Sequence, residues 1–223
     1  MAAAACRSSR PDPGPGISPR FLGLVTEDGL GGKRVLDLGC GWGRLSLWLA
    51  RQCAHVVGLD RDGAMIREAR ERAGQAGLAN VEFHEADVER EEYDRWAPEM
   101  ITAHLCVSDA IVERAARALT RGRCLGLVAF HVDQWKETGR VSRFAYEEDR
   151  LRWLLESHRL VPEVLEVERE IRRFGSVEEG LAAAVGLEDK WKADGRWHRY
   201  IAFLEGGGRT LTRSHLIVRA RKS

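Results

Sequence analysis

The residues best suited to chemistry in this chain are three closely spaced glycines and a set of carboxylates and imidazoles that each follow an apolar run. In Val35-Leu-Asp-Leu-Gly-Cys-Gly-Trp-Gly43 an apolar segment enters a glycine-rich turn, and the apolar stretch Leu45–Ala50 follows. Gly39, Gly41 and Gly43 lack a Cβ, so they can take positive φ and let a ligand lie against the backbone. Asp37 stands just ahead of the first glycine. A pyrophosphate at the N-terminus of the following helix would meet that carboxylate, whereas a cationic ligand would be attracted to it. Counted from Gly39, Arg44 occupies the slot where a dinucleotide-binding loop carries its third small residue. Counted from Gly41, Ser46 fills that slot, so spacing alone leaves a nicotinamide dinucleotide open and the charge of Asp37 speaks against it. Two further acids follow short apolar segments, Asp60 about twenty residues past the loop and Asp87 in Glu85-Ala-Asp-Val88. His104 and His131 close two more such segments, and an imidazole there can act as a base near neutral pH or simply complete the core.

Elements of a definite kind are needed to position these groups. Arg34–Leu38, His55–Asp60, Val81–Ala86, Met100–Leu105 and Arg123–Val132 read as strands, with helical stripes between them. Gly63–Ala76 carries Met65/Ile66, Ala69 and Ala73 at helical spacing, and Ser108 or Asp109 can cap a helix bearing Ile111/Val112, Ala115 and Ala118/Leu119. Strand–helix alternation at this rhythm predicts βαβ units in a mainly parallel sheet with helices on both faces. Such sheets bind ligands at the carboxyl ends of their strands, where all the groups above lie. Ser18–Asp28 predicts a short helix, Glu147–His158 an amphipathic helix and Val161–Phe174 an extended segment. Ser176-Val-Glu-Glu179 is a capping box that opens a helix to about Val185. Glu188–Leu204 predicts a helix interrupted near Gly195, and Thr210–Arg221 a closing strand. Residues 1–17, rich in Ala, Arg, Pro, Gly and Ser, are expected as a disordered tail, and 18–223 as a single domain.

The nonapeptide resembles motif I of the class I S-adenosylmethionine-dependent methyltransferases, whose cofactor carries a sulfonium and an ammonium. Matching segments continue in that family's order from about Val35 to Phe130. The resemblance implies an α/β fold of Rossmann-like, doubly wound type. Its mainly parallel sheet has seven strands, with an antiparallel last strand and a helical insertion before it. It also implies a cofactor site built from Asp37, Gly39, Cys40, Gly41 and Gly43 on the first loop, with Asp60 and Arg61 after the second strand. Asp60 would accept from both ribose hydroxyls, or else cap the next helix. Met65 would pack on adenine, or else on its own helix. Asp87 would accept from the adenine amino group with the Val88 N–H reaching a ring nitrogen, or else form an Asx turn. His104 borders the same site, and His104 and His131 are the candidate bases. The Asn/Asp-Pro-Pro-aromatic tetrapeptide of enzymes that methylate exocyclic amines of DNA bases or glutamine side chains is replaced here by Thr102-Ala-His-Leu-Cys106.

The C-terminal region resembles the small-molecule and carboxyl methyltransferases. The expectation is therefore methyl transfer to a small-molecule acceptor by direct displacement. A cofactor-binding regulatory relative without catalysis and, less favoured, an NAD(P)-linked oxidoreductase are the alternatives. Residues 174–204 are expected to form a lid over the acceptor. Trp191, Trp197, His198, Tyr200 and Phe203 would either line the pocket or pack the insertion onto the sheet.

Composition narrows the partners. The 223 residues carry 35 basic and 34 acidic side chains, a formal charge of +1, which provides no global attraction to nucleic acid or an anionic membrane. No apolar run is long enough to span a bilayer. Five cysteines without a CxxC pair fit reduced thiols in a cytoplasmic protein and argue against a metal site. The oligomeric state stays open.

Overall fold

The computed structural model describes residues 16–223. The expected tail thus falls outside the described residues except for Gly16 and Ile17, and Ile17 is buried against the first helix. That helix, α1 (Pro19–Thr26), is capped by the Ser18 hydroxyl. Five strands and three helices follow: β1 (Arg34–Leu38), α2 (Arg44–Ala50), β2 (His55–Asp60), α3 (Gly63–Gln75), β3 (Val81–Glu85), β4 (Met100–His104), α4 (Asp109–Ala118) and β5 (Cys124–His131). The polar stretch after β3 holds only a single 3-10 turn, at Asp94–Trp96.

The chain then adds β6 (Ala145–Tyr146), α5 (Glu148–Ser157) and β7 (Leu160–Arg173). It ends with α6 (Val177–Ala183), α7 (Glu188–Asp194), α8 (Arg196–Glu205) and β8 (Thr210–Lys222). The sheet order is β3-β2-β1-β4-β5-β8-β7, with β1 to β5 parallel and β8 antiparallel to both β5 and β7. The expected seven-strand arrangement is thereby present. An eighth strand, β6, adds two residues parallel to the end of β5. Sequence alternation is too short to signal so small an element.

Apolar side chains on alternate strand positions divide the core in two. Val35, Val128 and Ile217 pack with α1 and α2 through Phe21 and Trp48 on one face. Leu36, Leu125 and Val218 pack with α4 and α5 through Ile111 and Leu151 on the other. A small satellite of Ile66, Ala69 and Phe83 seats α3 on β3. Because β1 connects outward to β2 on one side and has β4 on the other, the strand order reverses there, opening a crevice at the carboxyl ends of β1 and β4. The insertion α6–α8 leaves β7 and re-enters β8 at this same edge. Its interior is a separate cluster of Trp135, Phe174, Trp191, Tyr200, Leu204 and Leu211. No helix among the described residues is long and apolar enough to cross a membrane.

Candidate active site

The crevice holds a cavity of about 380 Å³. Gly39 from the loop after β1 forms part of its wall, with Asp60 and Arg61 from the end of β2, Asp87 and Val88 beyond β3, and His104 ending β4. These six expected residues are brought together. Asp37, Cys40, Gly41, Gly43, Met65 and His131 are not on the wall, for separate reasons.

Asp37 points beneath the loop. It is 1% exposed and accepts hydrogen bonds from Ser46 Oγ at 2.6 Å and Thr102 Oγ1 at 2.9 Å. The expected direct contact with a cationic ligand is therefore corrected to a tie that joins β1, the first turn of α2 and β4. Burial pushes its carboxyl up to about 6, against the opposing effect of the two hydroxyl donors. Cys40 likewise turns inward, packing toward Phe83 and α3, and burial raises its thiol far above the usual range. Gly43 caps α2 at φ +84°, and a Cβ there would lie 2.9 Å from the Phe83 ring, so glycine is required by packing as well as by conformation. Met65 sits half-buried on α3, outside both the cavity wall and the cluster that seats this helix on β3.

His131 is off the cavity wall and projects to the sheet face that carries α4 and α5. It is buried, with Nδ1 3.0 Å from Ser214 Oγ and receiving the Asp133 amide at 3.3 Å. Strand parity explains the difference. Phe130, one position earlier, projects to the other face and lines the cavity.

Asp60 organises the loop it faces. Its Oδ2 accepts the Gly41 amide at 2.8 Å and its Oδ1 the Asp62 amide at 3.0 Å. An ionised carboxylate has about four acceptor sites, so roughly two remain for hydroxyl donors from a ligand. Asp87 Oδ1 accepts the Glu89 amide at 3.0 Å, which is the Asx-turn geometry, while the residue still borders the cavity. The neighbouring Val88 is buried, and its carbonyl accepts the Tyr93 hydroxyl at 2.5 Å.

The loop after β4 packs against Gly39. Leu105 takes φ +59°, a conformation costly for a residue with a branched side chain, while its amide donates to Val128 O at 2.7 Å. This turn lays Cys106 on the loop so closely that a Cβ on Gly39 would fall 2.3 Å from Cys106 Cβ. Burial pushes the Cys106 thiol up to about 11, so it is not a thiolate at neutral pH. His104 is pushed down to about 4 by burial and then by Arg44 and His215, and its imidazole is neutral at pH 7.

Phe144 and Lys190 complete the outer wall, the latter from α7 of the insertion. Neither carried a sequence signal, since both reach the site only through tertiary docking. Of the two alternatives for the insertion's aromatics, packing describes Trp191 and Tyr200: both are fully buried inside the insertion, and the Tyr200 hydroxyl donates to Gly180 O at 3.2 Å. Among the described residues no group of His, Cys, Asp and Glu is arranged to hold a metal ion.

Comparison with known proteins bears on the family and the fold. A family model described as a methyltransferase domain matches residues 30–158. A 63-residue segment is 48% identical to a 23S rRNA (uracil(1939)-C(5))-methyltransferase from Xylella fastidiosa, covering 28% of this chain and 14% of that protein. A 75-residue segment is 43% identical to a ubiquinone biosynthesis O-methyltransferase from Acinetobacter baylyi, covering 33% of this chain and 32% of the relative. The chain thus matches well under half the length of either. The fold also resembles the crystal structure of magnesium protoporphyrin IX methyltransferase from Synechocystis with bound S-adenosylhomocysteine. The TM-score is 0.62 at 18% identity, over 92% of this chain and 80% of that one. The family model covers more than half of the 223 residues, and the chain belongs to the methyltransferase domain family, within the class I S-adenosylmethionine-dependent superfamily.

Proposed function

We propose that the protein transfers the methyl group of S-adenosylmethionine to a small-molecule acceptor. The observation that carries this reading is the cavity at the strand-order reversal, whose about 380 Å³ lies within the roughly 300–1,000 Å³ typical of small-ligand sites. The residues fit the cofactor. Gly39 presents bare backbone, Asp60 keeps free acceptor sites for ribose hydroxyls, and Asp87 with Val88 borders the space suited to adenine. When bound, the cofactor supplies an electrophilic methyl on a sulfonium. The chain's own contribution is alignment and exclusion of water, which a direct displacement needs most. Neutral His104 adds no positive charge beside the sulfonium and can accept a hydrogen bond from an acceptor O–H or N–H. Cys106 covers the glycine loop as a protonated thiol. His131, committed to Ser214 and Asp133, has no role in this reading.

A small acceptor is supported by the near-balanced charge and by the likeness to an O-methyltransferase of ubiquinone biosynthesis. The segmental likeness to an rRNA methyltransferase makes RNA the competing acceptor class. Calorimetry with S-adenosylmethionine, S-adenosylhomocysteine and NAD tests the cofactor site, with binding of the first two and none of NAD expected. Labelled methyl transfer to a metabolite extract against total RNA tests the acceptor class. Label in RNA alone overturns the small-molecule assignment, and NAD binding alone overturns the whole reading.

A further inference from the structure

A second cavity of about 400 Å³ adjoins the first, with His104 on the wall of both. Its floor follows from strand parity. The paired positions His104↔Val128, Phe130↔His215, His215↔Glu168 and Arg213↔Glu170 put one row of side chains on the sheet face that carries α1. The segment 16–19 leading into α1 forms the opposing side.

The acids of β7 on this face differ in their surroundings. Glu166 binds Arg20 of α1 at 2.7 Å, and Glu168 accepts the Ser18 hydroxyl at 2.6 Å. Glu170 lies one step beyond the reach of α1. It is the direct cross-strand partner of Arg213, both face the cavity, and among the described residues neither forms an ion pair. Two glutamates would repel a simple anion, and Arg213 would repel a simple cation. A ligand carrying both charges close together satisfies both. At the inner end, burial pushes His104 and His215 down to about 4, leaving two neutral imidazoles.

We propose that this second cavity holds the methyl acceptor, and that Glu170 and Arg213 together recognise the ammonium and carboxylate of an amino-acid-type zwitterion. This rests on the methyltransferase reading above. The nucleophilic end of the acceptor then lies toward His104, beside the cofactor cavity. The register allows it: Arg213 stands four residues along and two strands across from His104, so the Cα atoms are on the order of 16 Å apart at ordinary strand rise and spacing. Side chains on a sheet stand roughly perpendicular to it, so an acceptor held at Arg213 covers this distance with an extended side chain of its own.

The test is a thermal-shift and calorimetric survey of the twenty free L-amino acids against the full chain saturated with S-adenosylhomocysteine. At least one is expected to bind, while its N-acetylated and decarboxylated analogues do not. Glu170→Gln and Arg213→Gln are each expected to weaken that binding by about tenfold or more, as for loss of a hydrogen bond to a charged group, with S-adenosylhomocysteine affinity unchanged. If S-adenosylhomocysteine binds but no amino acid does, or if both variants bind the amino acid as the parent does, the proposal is overturned while the methyltransferase reading stands. Failure of S-adenosylhomocysteine itself to bind removes both.

Discussion

Because Asp60 already receives the Gly41 and Asp62 amides, replacing it by alanine removes a fixed acceptor for the ligand and also the anchor of the glycine loop. Asp60→Ala is expected to weaken S-adenosylhomocysteine binding by about 1.5–3 kcal/mol, the range for hydrogen bonds to a charged group. Circular dichroism should show the fold retained, since the side chain ends a strand and fills no core. An unchanged dissociation constant in the folded variant refutes the ribose role. Asp37 makes a prediction of a different kind. Burial raises its carboxyl from the ordinary 3.8 to about 6, so between those values the folded chain binds more protons than the unfolded one. Its contribution therefore stabilises the fold at low pH and is lost as pH rises from about 4 to about 6. Asp37→Asn keeps the shape without the charge. Its melting temperature relative to the parent is expected to climb across that window and stay level above it. A difference that is flat across the window contradicts an upward shift of the Asp37 carboxyl by burial.

At the scale of elements, the insertion α6–α8 behaves as a small body of its own. Trp191 stands edge-on to both Trp135 and Tyr200, with ring centroids 5.4 Å away in each case. Trp191→Ala is expected to cost about 3–5 kcal/mol, as for other large buried aromatics, read as a lower denaturant midpoint. If stability is unchanged and only turnover falls, the side chain acts in the pocket after all. The same element shows where the sequence could and could not be read. Its helices and the break at Gly195 (φ +80°) were legible from a capping box and a glycine. The inward use of its aromatics was not, because amphipathic spacing says which residues share a face and not what that face meets. In the central sheet the strand ends and the glycine loop were legible for the opposite reason, since the chemistry there depends on local backbone form. Between a base and a core residue His131 was left open, because the sequence shows the alternation along β5 and not which face meets the cavity. Lys190 and Phe144 had no local signature, and Leu105 conceals its left-handed turn in an ordinary leucine.

Taken whole, the molecule keeps its two edges for different purposes. The carboxyl edge collects the glycine loop, both cavities and the insertion. Across the sheet at the amino edge, Arg219, only 7% exposed, bridges Glu27 and Asp28 after α1 to Glu163 of β7. Arg221 pairs with the same Asp28 and Glu163, and these guanidinium partners hold the Asp28 carboxyl down to about 2. The mainly parallel sheet with its antiparallel last strand was legible from the alternation of strands and helices together with the family resemblance. This clamp was not, because it joins residues nearly 200 positions apart, as Arg219 and Glu27 are.

One consequence concerns β7, which stands last in the sheet order with a bulge at Pro162–Val164. A fourteen-residue border strand invites another chain to add itself there and begin a fibre. Its sequence discourages this. Seven of its residues are charged, Arg169, Arg172 and Arg173 among the exposed ones, so an approaching copy must desolvate charged side chains and meet a kinked backbone before it can zip up.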